Sequence, residues 1–420
     1  MIPHGSVLAY AGTAAGAVLA TVCLTAMAYY AFAVYSARAF FRRPKGALDG
    51  PFPPVTIFKP LRGLDHEAYR NFASFCRQDY PEFQVLFGAD GADEPALDIA
   101  RAIARDFPHV DVSIVVGKQS PAANPKIGNL AGMFPAAKHP LLLVSDSDIR
   151  VGPTHLRTMV QPLANPRVGV VTCLYRSQAQ GLAGQLDALS LSTDFQPSVL
   201  VARQLEGITF AMGSGICIRR SVLEEIGGFE AIADYLADDY FLGNLPARAG
   251  HAIELANHVV EHRLDTETLT GLIHHQIRWN RGIRAARPWG YAGLLFTHGV
   301  PAALLLPLLA IGSPMAWALS AATLGARLAM AWYVAVRRLQ DPVARRALWL
   351  VPLRDLLGFA LWVAAYLGTT IVWRGQRFRM GERGKLVPTQ APSAAPAPSQ
   401  APATAEAGKA LAATRTRAVS

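Results

Sequence analysis

The chain has 420 residues, 51% of them hydrophobic and only 17% charged, and carries a formal net charge of +10. Its mean hydropathy of +0.23 is high for a soluble domain. The basic excess lies beside apolar runs, around residues 42–45, 281–287, 337–346 and 374–385. That placement fits an anionic membrane surface, and the central region has no basic patch interleaved with aromatics, so nucleic acid is not an expected partner. The four cysteines, Cys23, Cys76, Cys173 and Cys217, are scattered without metal spacing and read as buried free thiols in a reducing compartment.

Residues 5–36 carry no charge. Their core, 7–30, exceeds the roughly 20 apolar residues that span a bilayer. A cleaved leader would need a basic start and a shorter core. Residues 1–45 are therefore expected to form a membrane anchor, with Arg42, Arg43 and Lys45 holding its C-terminal end in the cytoplasm. From 50 to 287, short apolar runs alternate with helical patterns: 55–58, 84–87, 112–116, 141–144 and 168–171 read as strands. This predicts an α/β domain with a mainly parallel sheet, whose ligands bind at the carboxyl ends of the strands. Residues 288–386 hold two or three further apolar segments. The third is interrupted by Arg354 and Asp355, and basic residues flank it on both sides, so a span and a re-entrant or interfacial element both stay open. Residues 387–420, rich in Ala and Pro, are expected to be disordered.

Candidate site residues follow the strands. Asp146 and Asp148 come directly after the run 141–144; two carboxylates one residue apart at a strand end would point the same way and suit a hard divalent cation, Mg²⁺ or Mn²⁺, on a nucleotide diphosphate. Asp90 follows the strand 84–87 and can accept from a base or ribose; Asp93 is either a second nucleotide contact or a helix cap. Lys126 can neutralise a phosphate or simply sit at a helix start. Gly213 and Ser214 leave room for an acceptor, or form a tight turn. Asp238 and Asp239 stand in an apolar, aromatic segment that would raise a carboxylate's pKa; Asp239 is the expected general base, with capping of the following helix as the alternative role for the pair. Arg278 can grip a diphosphate and Trp279 can stack on a sugar or an acceptor, although an interfacial amphipathic helix would use the same residues. His274 and His275 are adjacent and cannot chelate from one helix face.

In their order, the segment 53–63, Asp90, Asn124-Pro125-Lys126, Asp146-Ser147-Asp148, Asp238-Asp239-Tyr240 and Gln276-Ile277-Arg278-Trp279 resemble the membrane-bound, inverting GT-A glycosyltransferases. Within them they are most similar to the ceramide glucosyltransferase family and its bacterial hopanoid-biosynthesis relatives. The resemblance implies a Rossmann-like GT-A domain at 50–287 and a UDP-sugar donor. Asp90 or Asp93 would contact the uridine, with Lys126, Asp146, Arg278 and Trp279 also on the nucleotide sugar. Asp146 and Asp148 would hold the metal, and Asp239 would be the base. Gly213, Ser214, Asp238 and Trp279 would line the acceptor. It further implies a multi-pass protein of the bacterial inner membrane whose catalytic domain faces the cytoplasm and glycosylates a lipid, a hopanoid polyol first and ceramide second. One departure stands out: the family motif begins with Gln or Arg three residues before Arg-Trp, and that position is His275 here. A processive polysaccharide synthase or a non-catalytic scaffold would share the fold.

Overall fold

The computed structural model describes residues 4–43, 50, 52–373 and 376–389, apart from 66, 119 and 267. Strands β1 (Val55–Leu61), β2 (Phe83–Ala89), β3 (Asp111–Val116) and β4 (Leu141–Val144) pair in parallel. β1 and β4 are buried at every position. Strands covered on both faces carry continuous apolar runs, which is why their sequences do not alternate. Strands β5 (Ile149–Arg150), β6 (Val168–Gln178), β7 (Ile216–Arg219) and β8 (Ala252–Arg263) complete an eight-stranded sheet of order β3-β2-β1-β4-β7-β6-β8-β5. β7 runs antiparallel to β4 and β6, while β6 and β8 are parallel. The expected mainly parallel α/β domain is therefore present. Strand order switches at β1, with β2 on one side and β4 on the other, so the carboxyl ends of these strands open a crevice.

The helix His4–Phe41 packs against Gly299–Leu309 and Pro314–Ala331 through Cys23, Ala302, Ala303, Leu306 and Ala316. Among the described residues, three helical segments are long and apolar enough to cross a membrane: Ala14–Phe41, Pro314–Arg338 and Pro342–Leu367. A fourth arises if Pro288–Thr297 and Gly299–Leu309, bent by 47°, count as one span. Tyr30 pins that bend, donating to the Thr297 carbonyl (2.9 Å) and accepting from Gly299 N–H (3.2 Å).

The third apolar segment begins and ends against the α/β domain. Just before it, Arg176 of β6 donates to the carbonyls of Leu339 and Gln340, both at 3.2 Å. Just after it, Arg284 and Arg281 of the helix Leu269–Ala286 donate to the carbonyls of Gly368 and Thr370. Between these points Val343, Ala344, Ala347, Leu350 and Val351 pack on Ala183, Leu186, Leu189 and Leu272. Both ends of the segment are thus tied to the α/β domain, whichever of the two arrangements the segment takes. The chain then forms a small antiparallel sheet of β9 (Thr370–Trp373), β10 (Gln376–Met380) and β11 (Leu386–Pro388), which the sequence patterns did not announce. The tail expected from 387 onward thus begins inside a strand; 390–420 lie outside the described residues.

The membrane helices meet the domain through a buried ion cluster. Arg327, 2% exposed, donates to both oxygens of Asp355 (2.8 Å each), to Asp194 (2.6 Å) and to Thr193. Removing one partner of such a cluster strands a desolvated charge. Arg327→Leu is expected to lower stability by about 3–5 kcal/mol, and the double change Arg327→Leu/Asp355→Leu to recover much of that loss. Chemical denaturation in detergent measures both.

Candidate active site

The site is assembled around one ammonium group. Asn124 caps the helix Pro125–Met133, accepting from the N–H groups of Lys126 (3.0 Å) and Ile127 (3.4 Å), with Pro125 at the first helical position. The cap is tied to the second half of the domain: Asn124 Nδ2 donates to the Tyr235 carbonyl (2.9 Å) and to Asp238 Oδ1 (3.4 Å). Lys126 Nζ then reaches Asp146 Oδ1 and Asp238 Oδ2, both at 2.7 Å. Burial works against its charge, but the two carboxylates outweigh that and hold its pKa well above the ordinary lysine value.

Asp146 and Asp148 do not sit on a strand. β4 ends at Val144, and residues 145–148 form a turn into β5. Strand alternation therefore does not aim these carboxylates; the turn and their partners do. Asp146 N–H bonds the Gly213 carbonyl (3.4 Å), and burial, together with the acids around it, raises its pKa. Asp148 Oδ2 accepts from His262 Nε2 at 3.2 Å. Burial alone would raise Asp148, but the His262 imidazole beside it brings its pKa below the usual value. His262, held in turn by Ser177 Oγ at 3.0 Å, is a site residue that sequence reasoning missed. Lys59 is another: it is fully buried in β1, donates to the Asp146 carbonyl and lies 4.0 Å from the Phe75 ring centroid. Burial depresses its pKa to about 7. A lysine inside an apolar strand run was the signal for it; nothing in sequence pairs His262 with Asp148.

Asp238 and Asp239 open the helix Asp238–Arg248, where negative charge meets the positive end of the helix dipole. Ala237 holds the cap position, so neither acid is the N-cap. Asp238 is buried and committed to Lys126. Asp239 is half-buried and accepts from Gly213 N–H at 3.1 Å and from Tyr240 N–H at 2.8 Å. Burial, then the neighbouring Asp238, lifts its pKa to about 6. Gly213 needs its missing side chain: a Cβ there would lie 2.7 Å from Asp146 Oδ2 and 3.8 Å from Asp239 Oδ2. Ser214, in contrast, is buried with its hydroxyl donated to the Cys173 carbonyl (3.0 Å).

Asp90 lies at the end of β2, 3.8 Å from Arg62, and its Oδ1 is a buried acceptor with no hydrogen-bond partner among the described residues. Asp93 is exposed, and Pro95, not Asp93, stands at the N-cap of the helix Ala96–Asp106. On the other side, the helix Leu269–Ala286 is anchored by Asp187, which is 0% exposed and was also missed in sequence. Asp187 accepts from His275 Nδ1 (2.7 Å), Gln276 Nε2 (2.5 Å) and Thr266 Oγ1 (2.7 Å). His275, at the departing motif position, is thus a helix anchor, and its ring lies 4.7 Å from that of Trp279. A run of rings, Trp279, Phe195, Tyr175 and His262, links this helix to Asp148. Arg278 is half-buried on the same helix.

The structure therefore gathers Lys126, Asp146, Gly213, Asp238 and Asp239 directly, with Asp148 alongside. Among the described residues, no group of three or more His, Cys, Asp or Glu is arranged to hold a metal. Asp146 and Asp148 still offer hard oxygen donors, and Asp148 Oδ1 is buried without a hydrogen-bond partner, so the donor set fits a divalent cation that takes its remaining ligands from a diphosphate and water.

The profile of glycosyl transferase family 21 matches residues 18–386. The chain belongs to this family. It is 27% identical over 233 residues to ceramide glucosyltransferase 1 of Caenorhabditis elegans, covering 55% of this chain and 50% of that protein. It is 23% identical over 360 residues to ceramide glucosyltransferase 3 of the same organism, covering 81% and 75%. Among solved structures it is similar to a mannosyltransferase from Pyrobaculum calidifontis in complex with GDP-Man and Mn²⁺, with TM-score 0.55, 19% identity, and coverage of 84% of this chain and 97% of that one. The expected GT-A fold and the likeness to ceramide glucosyltransferases are borne out at this level.

Gly213→Ala is expected to leave the chain folded but to push Asp146 and Asp239 apart. Displacements of this size cost roughly 10²-fold in rate, so steady-state turnover of donor and acceptor should fall by about that factor. Near-normal turnover would show that the two carboxylates need not converge at Gly213.

Proposed function

We propose that this protein is an inverting glycosyltransferase that moves a sugar from a UDP-sugar to a hydroxyl group of a membrane lipid. The observation that carries the reading is Asp239: a half-buried carboxylate with its pKa lifted to about 6, beside the open face of Gly213 and across from Asp146. Such a group is ionised at neutral pH yet basic enough to accept a proton from a hydroxyl as that oxygen bonds to the anomeric carbon. The C–O bond to the diphosphate breaks on the opposite side, which inverts the configuration. Asp90, with its unpartnered oxygen, would accept from the base or ribose, and Lys126 brings positive charge beside the diphosphate. Arg278 and Trp279 would close over donor and acceptor. A bound Mg²⁺ or Mn²⁺ on Asp146 and Asp148 would offset the charge of the leaving UDP.

The lipid is the finer question. An Ala- and Arg-rich composition suits a bacterial chain, and with the resemblance to the hopanoid-biosynthesis relatives it makes N-acetylglucosamine transfer to a bacteriohopanetetrol-type hopanoid the first reading. The names of the relatives favour ceramide as acceptor, a second reading with the same catalytic residues. Either way the site belongs on the cytoplasmic face of a bacterial inner membrane, where the helix Leu269–Ala286 leads into the apolar helices.

Lipid mass spectrometry after incubating membranes containing the full chain with bacteriohopanetetrol, ceramide, a UDP-sugar panel and Mg²⁺ or Mn²⁺ tests the reading. An N-acetylhexosamine adduct on the hopanoid is the expected result, and a hexose on ceramide would establish the second reading. No glycosylated lipid would overturn both. Asp239→Asn should cost about 10²–10⁴-fold in turnover while UDP binding persists. The pH–rate profile should fall on the acid side of about 6, where Asp239 is protonated. Because Lys126 lowers the Asp239 pKa, Lys126→Gln should move that acid limb to higher pH.

A further inference from the structure

The turn between the apolar segments Pro314–Arg338 and Pro342–Leu367 carries a groove that the glycosyl-transfer reading does not use. Its volume is about 270 Å³, and Trp332, Val336, Arg337, Gln340 and Arg345 line it. Arg337 and Arg345 are both exposed, and among the described residues neither has an acidic partner. The adjacent Arg338 differs: it folds back on the Tyr333 hydroxyl at 3.0 and 2.6 Å. Two uncompensated guanidinium groups that converge on one groove form a receptor for a phosphate, which guanidinium binds through paired N–H donors.

The groove is built before any ligand arrives. Arg176 of β6 holds the Leu339 and Gln340 carbonyls, and buried Asp341 caps the helix Pro342–Ala347 through Val343 N–H (2.7 Å) and Ala344 N–H (3.0 Å). Gln340 takes a left-handed backbone conformation at φ +54°, which turns the chain sharply between the two arginines. Its depth in the bilayer is marked by Trp332 and Trp349, 48% and 74% exposed, one on each side of the turn. Exposed tryptophans flanking apolar helices sit at the headgroup level. One wall of the groove is apolar, from Trp332 and Val336, as an acyl chain requires; a soluble phosphate would have no use for it.

We infer that this groove binds the phosphate headgroup of an anionic membrane phospholipid, with Arg337 and Arg345 on the phosphate and Trp332 against the glycerol and upper acyl chain. The site lies outside the crevice that holds Asp239. It is nevertheless joined to it: Arg176, which holds the turn, pairs with Glu261 at 3.0 Å, and Glu261 precedes His262, the partner of Asp148. An anionic lipid in the groove would therefore seat the catalytic domain on the bilayer at the strand that supports the metal carboxylates. The inference does not depend on which lipid is the acceptor.

Native mass spectrometry of the full-length protein in detergent, titrated with phosphatidylglycerol or phosphatidylcholine, tests it. A basic residue at a membrane surface contributes roughly fivefold in affinity for anionic lipid. Arg337→Gln/Arg345→Gln is thus expected to weaken phosphatidylglycerol retention by about 25-fold, with phosphatidylcholine retention and UDP binding unchanged. Arg337→Lys/Arg345→Lys keeps the charge and should retain most of the binding, which separates loss of the site from misfolding. Phosphatidylglycerol retention unaffected by the Gln pair would overturn the proposal. So would its complete displacement by inorganic phosphate, which would make the groove a site for a soluble anion.

Discussion

One ammonium group, paired with two carboxylates, governs the site. Lys126 joins Asp146, in the turn after β4, to Asp238, at the start of a helix in the second half of the domain. Without that ammonium a half-buried and a buried carboxylate would face each other and repel. The same contact sets where Asp239 stands, because Asp239 follows Asp238 on the first turn of its helix. The cap that fixes Lys126 also bonds Asp238, so the helix start and the Asp238-Asp239 segment are held as one unit.

Environment then divides the labour among similar side chains. Burial and neighbouring acids raise Asp146 and Asp239, while His262 brings Asp148 below its usual range. Carboxylates with pKa values pushed apart in one crevice can take different tasks, one as a base and another as a permanent anion for a cation. Gly213 permits this by leaving open the space that a side chain would fill between Asp146 and Asp239.

The apolar C-terminal portion does more than flank the α/β domain. Its third apolar segment starts and finishes on the α/β domain, and the small sheet that follows returns to the segment just before Asp238 and Asp239: Leu236 packs with Ile371, Phe378, Met380 and Leu386, and Leu386 N–H bonds the Asp234 carbonyl at 2.6 Å. Tyr291 and Trp362 bond each other's backbone carbonyls across this layer, Tyr291 to Trp362 at 3.1 Å and the reverse at 2.9 Å. Asp187 fastens the helix of Arg278 and Trp279 from below.

The central strands were legible in the sequence because buried parallel strands are unbroken apolar runs, and the acidic candidates were legible because each follows such a run or stands in an apolar segment. β5 and β7 were not, being two and four residues long, nor was β8, whose polar residues Glu254, His258, Glu261 and His262 interrupt any period. Periodicity reports how a segment meets its own surroundings; it carries nothing about which distant segment lies opposite. Thus the sequence by itself determined the α/β domain, its apolar flanks, and the carboxylates Asp90, Asp146, Asp148 and Asp239 as candidates. Only the tertiary structure decided that Lys126 bridges Asp146 to Asp238, that His262 belongs to Asp148 and His275 to Asp187, and that both ends of the third apolar segment contact the α/β domain. Each of those is a contact between residues far apart in the chain, made by packing and ion pairing that no local pattern encodes.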